Sequence, residues 1–346
     1  MEDRELKRDI IVLGASAGGL DALKIFLPQL PKDFSSVLFL VMHLSPEYPS
    51  LLPKILSRLI DLKVVSAVDQ KPIEPGCLYI APPDHHLLVE TGHIRVSRGP
   101  KENRFRPSID VLFRSAARAY GARVVGVVLS GGLDDGAAGL YAIKERGGKA
   151  VVQDPADALY PSMPLAARKA VTVDHCVPVQ KLGQLLIDLS NEVVETKGEN
   201  PVSKRMDIEV GVARQDNALE AGILELGEPS PYTCPECHGV LMKLKEGNLI
   251  RFRCHTGHAY SLNTLLTEVT GAVEDSLWNA LRTIEESELL MNHLAKHLHE
   301  IEETEAAELL MQKVEEAKRR AELVRQAVMS NETLSTDSLR SEITDS

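Results

Sequence analysis

Between residues 8 and 190, short unbroken apolar runs alternate with stretches of helical periodicity, and this alternation limits the fold more than any other feature. The runs Ile10–Leu13, Val37–His43, Leu62–Ala67, Leu78–Ala81, Arg123–Leu129, Ala150–Gln153 and Val171–Val173 read as strands. Helical patterns fall at 18–28, 48–60, 108–120, 136–147, 164–170 and 180–190. A strand that is apolar on both faces must be covered on both, and the helices between such strands supply the cover. His85–Glu90 and His93–Ser97 flank Thr91-Gly92 and read as a hairpin with a two-residue turn. The expected fold class is α/β, a three-layer sandwich around a mainly parallel sheet.

The pattern stops near residue 190. Residues 191–230 read as a linker, polar from Glu192 to Ser203 with Lys197-Gly198 and Pro201 inside it. Residues 231–262 form a Cys/His module. Residues 263–328 are helical and rich in Glu, Leu, Ala and Lys. Leu277, Ile284, Met291 and Leu298 repeat every seventh position. Leu310, Val314, Ala317, Ala321, Val324 and Val328 alternate steps of four and three. Both are the seam of a helical hairpin or coiled coil. Residues 329–346 are rich in Ser, Thr and Asp, and a disordered tail is expected.

Charge divides the chain in the same place. Residues 1–200 carry 24 basic and 24 acidic side chains, while residues 201–346 carry 15 and 26, the whole of the net −11. Such an acidic half excludes a nucleic-acid surface, which needs a basic stripe. No apolar run approaches the ~18 residues of a membrane helix, and Met1-Glu2-Asp3-Arg4 does not begin a signal peptide. No membrane insertion and a cytoplasmic location are expected. Five cysteines, an odd number, suit a reducing compartment better than a disulfide framework.

Gly14-Ala15-Ser16-Ala17-Gly18-Gly19 follows the first strand and opens a helix. It fits G-x-S-x-G, in which small neighbours allow a serine on a sharp strand-to-helix turn to project its hydroxyl beyond the sheet. A glycine-rich dinucleotide loop occupies the same place in other α/β folds. Here the G-x-G-x-x-G spacing is missing, His43 stands where a ribose-binding acid is expected, and no Walker lysine follows. His43 ends the second strand. Another strand runs into Ser130-Gly131-Gly132-Leu133-Asp134-Asp135-Gly136, and either Asp alone would serve as a helix cap. Ser, His and Asp at the carboxyl ends of one parallel sheet are together a nucleophile, a base and its orienter. Their order, Ser16, His43, Asp135, is not that of the α/β-hydrolases.

These residues resemble the catalytic domain of the bacterial chemotaxis protein-glutamate methylesterases. The resemblance is collinear over about residues 8–190. It rests on Gly14–Gly19, His43 with Ser45-Pro46, Tyr79-Ile80-Ala81-Pro82, Arg104–Phe113, Asp135-Gly136-Ala137-Ala138-Gly139 and Met163-Pro164. It implies a serine hydrolase that removes methyl esters from glutamates on the cytoplasmic helices of methyl-accepting chemoreceptors and deamidates receptor glutamines. No catalytic cofactor is implied. Ser16 is then the nucleophile, His43 the general base and Asp135 its acid, while Asp134 falls where the family varies and takes no catalytic role. Backbone N–H groups near Ala17 and in Gly131-Gly132-Leu133 are the oxyanion donors to expect. Two departures lie here: Gly-Gly-Leu where familiar members have Gly-Met-Gly, and Ala17 where many have a hydroxyl. Arg106, Pro107, Ser108 and Asp110 also match; substrate contact is one reading of them, and helix initiation is the favoured one.

Typical members carry an N-terminal receiver domain that inhibits the site. Strand one begins near residue 9, which leaves no room for it, so control by an attached receiver is not expected. The C-terminal module is left to regulate the site or to recruit chemosensory array proteins through its helices. The competing reading is a catalytically inactive chemosensory scaffold on the same fold.

Cys234-Pro235-Glu236-Cys237 and Cys254-His255-Thr256-Gly257-His258 form C-x2-C and C-x3-H, 16 residues apart. Thiolates and imidazole in two close pairs suit a structural tetrahedral Zn2+ in a zinc-ribbon-like module. Cys234, Cys237, Cys254 and His258 are the expected ligands, with His255 or His238 as alternatives for the fourth. His293, His297 and His299 read as surface residues.

Overall fold

The computed structural model describes residues 6–194, 200–215, 217–332, 334 and 335. The chain divides into two compact units, Met1–Leu265 and Leu266–Ser346.

The first unit is built on seven parallel strands in the order β3-β4-β2-β1-β7-β8-β9. They are β1 (Ile10–Ala15), β2 (Val37–Met42), β3 (Lys63–Ser66), β4 (Cys77–Ile80), β7 (Val124–Val128), β8 (Lys149–Gln153) and β9 (His175–Val177). Antiparallel β5 (His86–Glu90) and β6 (His93–Ser97) form the expected hairpin outside the sheet. The chain lays down β1 and β2, crosses to the edge strand β3, comes back to place β4 between β3 and β2, then passes to β7 on the other flank of β1. The strand order reverses at the centre, where the carboxyl ends of adjacent strands leave a crevice.

Alternate residues of each strand enter opposite cores. Ile10 and Val12 of β1 pack with α3 (Ile109–Tyr120), α4 (Ala137–Glu145) and α5 (Ser162–Ala170). Ile11, Leu13 and Ala15 pack with α1 (Gly19–Phe26), α2 (Leu52–Leu56) and α6 (Leu182–Ser190). The α/β sandwich expected from the apolar runs is therefore present. Three local expectations are not met. The last strand forms at His175–Val177, not Val171–Val173, because pairing with β8 begins where Asp174 N–H donates to the Ala150 carbonyl at 2.8 Å. The helix expected over 48–60 shrinks to Leu52–Leu56. Inside the expected linker, Lys204–Ala213 forms helix α7, with Met206, Ile208, Val210 and Val212 buried. Residues 195–199 of that segment lie outside the described residues.

The Cys/His segment is a four-stranded antiparallel sheet of β10 (Glu228–Thr233), β11 (Val240–Glu246), β12 (Leu249–Cys254) and β13 (Ala259–Ser261). Its core is small: Cys234, Leu241, Phe252, Cys254, Tyr260 and Leu265. Buried charge seats it on the rest of the unit. Arg253 reaches Glu102 and Glu209, each at 2.7 Å, and Arg251 reaches Glu246 at 2.6 Å and Glu209 at 3.0 Å. Arg114 of α3 pairs with Glu102 at 3.2 Å and Glu209 at 3.4 Å.

Helix α8 (Leu262–Glu300) carries the chain into the second unit, which is completed by α9 (Thr304–Met329). Leu281, Ala295, Ala307, Val314, Ala317, Ala321 and Val328 are buried along the seam of this hairpin, and Arg325 pairs with Glu285 across it. His293, His297 and His299 are exposed. Of the tail expected to be disordered, residues 333 and 336–346 lie outside the described residues. Among the described residues, no helix is long and apolar enough to cross a membrane.

Candidate active site

Ser16, His43 and Asp135 follow β1, β2 and β7, the three central strands, so the sheet itself brings them together. The turn after β1 is tight. Ser16 N–H donates to the Ser130 carbonyl at 3.0 Å, and Gly19 N–H donates to the Ser16 carbonyl at 2.9 Å. Gly18 takes φ +74°, a conformation free of strain only for glycine. Gly131 is equally constrained, since a Cβ there would stand 2.8 Å from that of Ser16 and strike the sulfur of Met163.

Ser16 Oγ lies 3.3 Å from His43 Nδ1, and His43 Nε2 lies 2.8 Å from Asp135 Oδ2. An ionised carboxylate only accepts hydrogen bonds, so Nε2 carries the ring proton and Nδ1 is free to accept the serine proton. The imidazole and the carboxylate are buried, whereas Ser16 is half-exposed and Ala17 exposed. The hydrogen-bonded chain thus ends at an accessible serine hydroxyl.

Asp135 is held from several sides. It accepts from Ile109 N–H at 2.7 Å, Ser108 Oγ at 2.9 Å, Asn103 Nδ2 at 3.1 Å and Asp110 N–H at 3.3 Å. Burial pushes its carboxyl upward. The His43 contact and these donors more than offset that and hold it below the usual carboxylate range. Asp110, also buried, is pushed up to about 7, first by burial and then by the Asp135 charge. Asp110 Oδ1 accepts from Gly136 N–H at 3.0 Å and Gly139 N–H at 2.6 Å, capping α4 from a neighbouring helix. Sequence reasoning gave Ser108 and Asp110 to helix initiation and passed over Asn103. Their link to Asp135 is tertiary, and only the Arg104–Phe113 motif hinted at it. Asp134 bonds to Ser261 Oγ at 2.8 Å and Thr264 Oγ1 at 3.1 Å, away from the imidazole.

Of the expected oxyanion donors, Gly131 N–H is already given to the Tyr160 carbonyl at 2.9 Å. Among the described residues, the Ala17 and Gly132 N–H groups are given to no backbone carbonyl. Leu133 takes φ +59° where familiar members have glycine.

Cys234, Cys237, Cys254 and His258 place one ligand atom each within 4.8 Å of all the others. Cys237 and Cys254 sulfurs are 3.6 Å apart, and His258 Nδ1 lies 3.7 and 3.6 Å from the sulfurs of Cys234 and Cys254. A tetrahedron with ~2.3 Å metal–sulfur bonds has edges of about 3.8 Å, so the set fits. The other ring nitrogen of His258 faces Glu236 at 3.3 Å, the carboxylate–histidine arrangement common at metal sites. Neither His255 nor His238 belongs to the cluster.

The family profile described as CheB methylesterase matches residues 11–186. This chain belongs to the CheB methylesterase family. The Cys/His sheet and the helical hairpin lie beyond that match. A Leptospira interrogans protein provisionally named protein-glutamate methylesterase/protein-glutamine glutaminase is 40% identical over 190 residues, covering 55% of this chain and 98% of that one. A Trichodesmium erythraeum protein-glutamate methylesterase/protein-glutamine glutaminase is 37% identical over 186 residues, 53% of each chain. The crystal structure of the Thermotoga maritima CheB methylesterase catalytic domain aligns with a TM-score of 0.51 at 30% identity, covering 52% of this chain and 98% of that one.

Proposed function

We propose that this CheB family member is a serine hydrolase that removes methyl esters from glutamate side chains of chemoreceptors and deamidates receptor glutamines, as a step of chemosensory adaptation in the cytoplasm. The observation that carries the reading is the Ser16–His43–Asp135 chain at the centre of the sheet's carboxyl edge. His43 Nδ1 takes the proton of Ser16 as Oγ attacks the ester carbonyl. Ala17 and Gly132 N–H groups stabilise the oxyanion. Collapse breaks the bond to methoxide, which leaves as methanol with the proton from Nδ1. Water, deprotonated by the same nitrogen, hydrolyses the acyl-enzyme and frees Ser16. With a glutamine substrate the leaving group is ammonia. Ionised Asp135 keeps the ring in the required tautomer and offsets its positive charge.

Receptor helices need an apolar surface beside the nucleophile. Leu159 and Tyr160, both exposed, stand within 4 Å of a Cβ built on Gly18 and offer one. Zn2+ held by Cys234, Cys237, Cys254 and His258 is the structural metal, and the α8–α9 hairpin is the surface offered to array proteins. The scaffold alternative has no observation in its favour, since nucleophile, base and acid are all present and connected. The test is methanol release from methylated chemoreceptor membranes. Wild type should release methanol and Ser16→Ala should not. Equal, negligible release from both folded proteins would overturn the reading.

A further inference from the structure

The Cys/His cluster and the Ser16–His43–Asp135 site are joined by a continuous path. Ala259 follows directly on His258 and begins β13. On one side β13 pairs with β12; on the other it pairs with residues 101–103. Ala259 N–H donates to the Lys101 carbonyl at 3.2 Å, and Asn103 N–H donates to the Ala259 carbonyl at 2.8 Å. Ser261 N–H donates to Asn103 Oδ1 at 2.9 Å. The amide nitrogen of that same side chain donates to Asp135 Oδ1 at 3.1 Å and Asp110 Oδ2 at 2.9 Å. Two residues on, Phe105 stacks on the His43 ring with centroids 3.5 Å apart. Arg253, immediately before Cys254, pairs with Glu102, immediately before Asn103.

We infer that a zinc-class cation at Cys234, Cys237, Cys254 and His258 positions the esterase site, by fixing β13 and through it Asn103 against Asp135 and Phe105 against His43. Without the cation, nothing ties the four side chains to one another, and the Cys254–His258 turn keeps its small core, its hydrogen bonds and the Arg253 pairs with Glu102 and Glu209. The 101–105 segment then loses the rigid edge it pairs with. Asn103 is the positioning residue of this path. Its amide can satisfy Ser261 and Asp135 together only while β13 stays in register.

The inference rests on the reading of Ser16–His43–Asp135 as the catalytic group, and the test separates the two. Full-length protein is prepared with zinc bound and after chelation, with circular dichroism recorded for both. Two readouts are taken: the downfield proton resonance of His43 Nε2–H, which needs no receptor, and methanol release. Chelation should broaden or shift the resonance and lower kcat at least tenfold with KM little changed, and zinc should restore both. Asn103→Gly removes the amide while accepting the native φ of 51° without strain. Zinc-loaded Asn103→Gly should already show the lowered kcat, and chelation should then cost it less than a further twofold, because path members are not additive.

An unchanged resonance and kcat after chelation overturns the inference, as does an equal loss in wild type and Asn103→Gly. A zinc-dependent resonance without methanol release from either form overturns the substrate reading and leaves the inference standing. If chelation unfolds the protein, the share of zinc that each form keeps against a colorimetric chelator at equilibrium decides. Coupling of binding free energies is reciprocal, so Asn103→Gly should bind zinc at least threefold more weakly than wild type, and equal affinities overturn the inference.

Discussion

The rings of His43 and Phe105 lie nearly parallel, 9° apart, with centroids separated by 3.5 Å. Phe105 is only partly buried, so it serves more as a lid on the imidazole than as part of the core. It restricts rotation of a ring whose two nitrogens must face Ser16 and Asp135 at once. Aromatic contacts of this kind contribute about 0.5–1.5 kcal/mol, or roughly two- to tenfold in rate if the contact persists in the transition state. Phe105→Ala should lower kcat for methanol release by about that factor, and Phe105→Tyr should restore it. A variant with only KM changed would assign Phe105 to substrate binding instead.

Asp135→Asn should be far more damaging. An amide offers His43 Nε2–H either a poorer acceptor or a competing donor, and the ring is driven to the tautomer with its proton on Nδ1. That nitrogen can then no longer accept from Ser16. A loss of roughly 10³- to 10⁴-fold in kcat is expected, with little change in KM. A change within tenfold, measured by single-turnover methanol release, would show that Asp135 does not orient the base.

Asp110 links the same cluster to pH. Its carboxyl is pushed up to about 7, chiefly by burial and next by the charge on Asp135. Between the ordinary carboxylate value and about 7, the native state keeps a proton that the unfolded chain has lost. The Asp110 contribution therefore falls as pH rises through that window, with a slope of at most about 1.4 kcal/mol per pH unit. Asp110→Asn lacks this slope. Its unfolding free energy should improve relative to wild type from pH 4 to 8. Parallel urea-unfolding profiles across that range would contradict this.

Much of this was legible in the sequence because strand-end chemistry is local. The apolar runs located β1, β2 and β7, and the end of each run or the short loop beyond it supplied Ser16, His43 and the Asp134-Asp135 pair. What stayed hidden was held together by distant partners. Helix α7 looked like linker because its inward face carries Glu209, and the arginines that make a buried glutamate tolerable come from positions 114, 251 and 253. Ser108 and Asp110 had an adequate local explanation at a helix start, which concealed their tertiary bonds. Asn103 belongs to no short motif, and its significance comes from Ser261, 158 residues away.

The buried ion cluster behind Asn103 gives the last prediction. Glu102, Glu209, Arg114, Arg251 and Arg253 are all nearly sealed from solvent. Burial pushes the Glu209 carboxyl up, but the three guanidinium groups hold it well below the usual range. Removing one charge from such a cluster leaves its partners desolvated and unpaired, which costs about 3–5 kcal/mol. Glu209→Gln should thus lower the urea midpoint substantially. Glu74→Gln, which removes an exposed pair with Lys63, should leave the midpoint unchanged. Because Glu102 precedes Asn103 and Arg253 precedes Cys254, Glu209→Gln should also loosen the segment that links them. Amides 101–105 should then exchange with solvent faster than in wild type under native conditions. Unaltered exchange there, despite a lowered midpoint, would confine the cluster to stability alone.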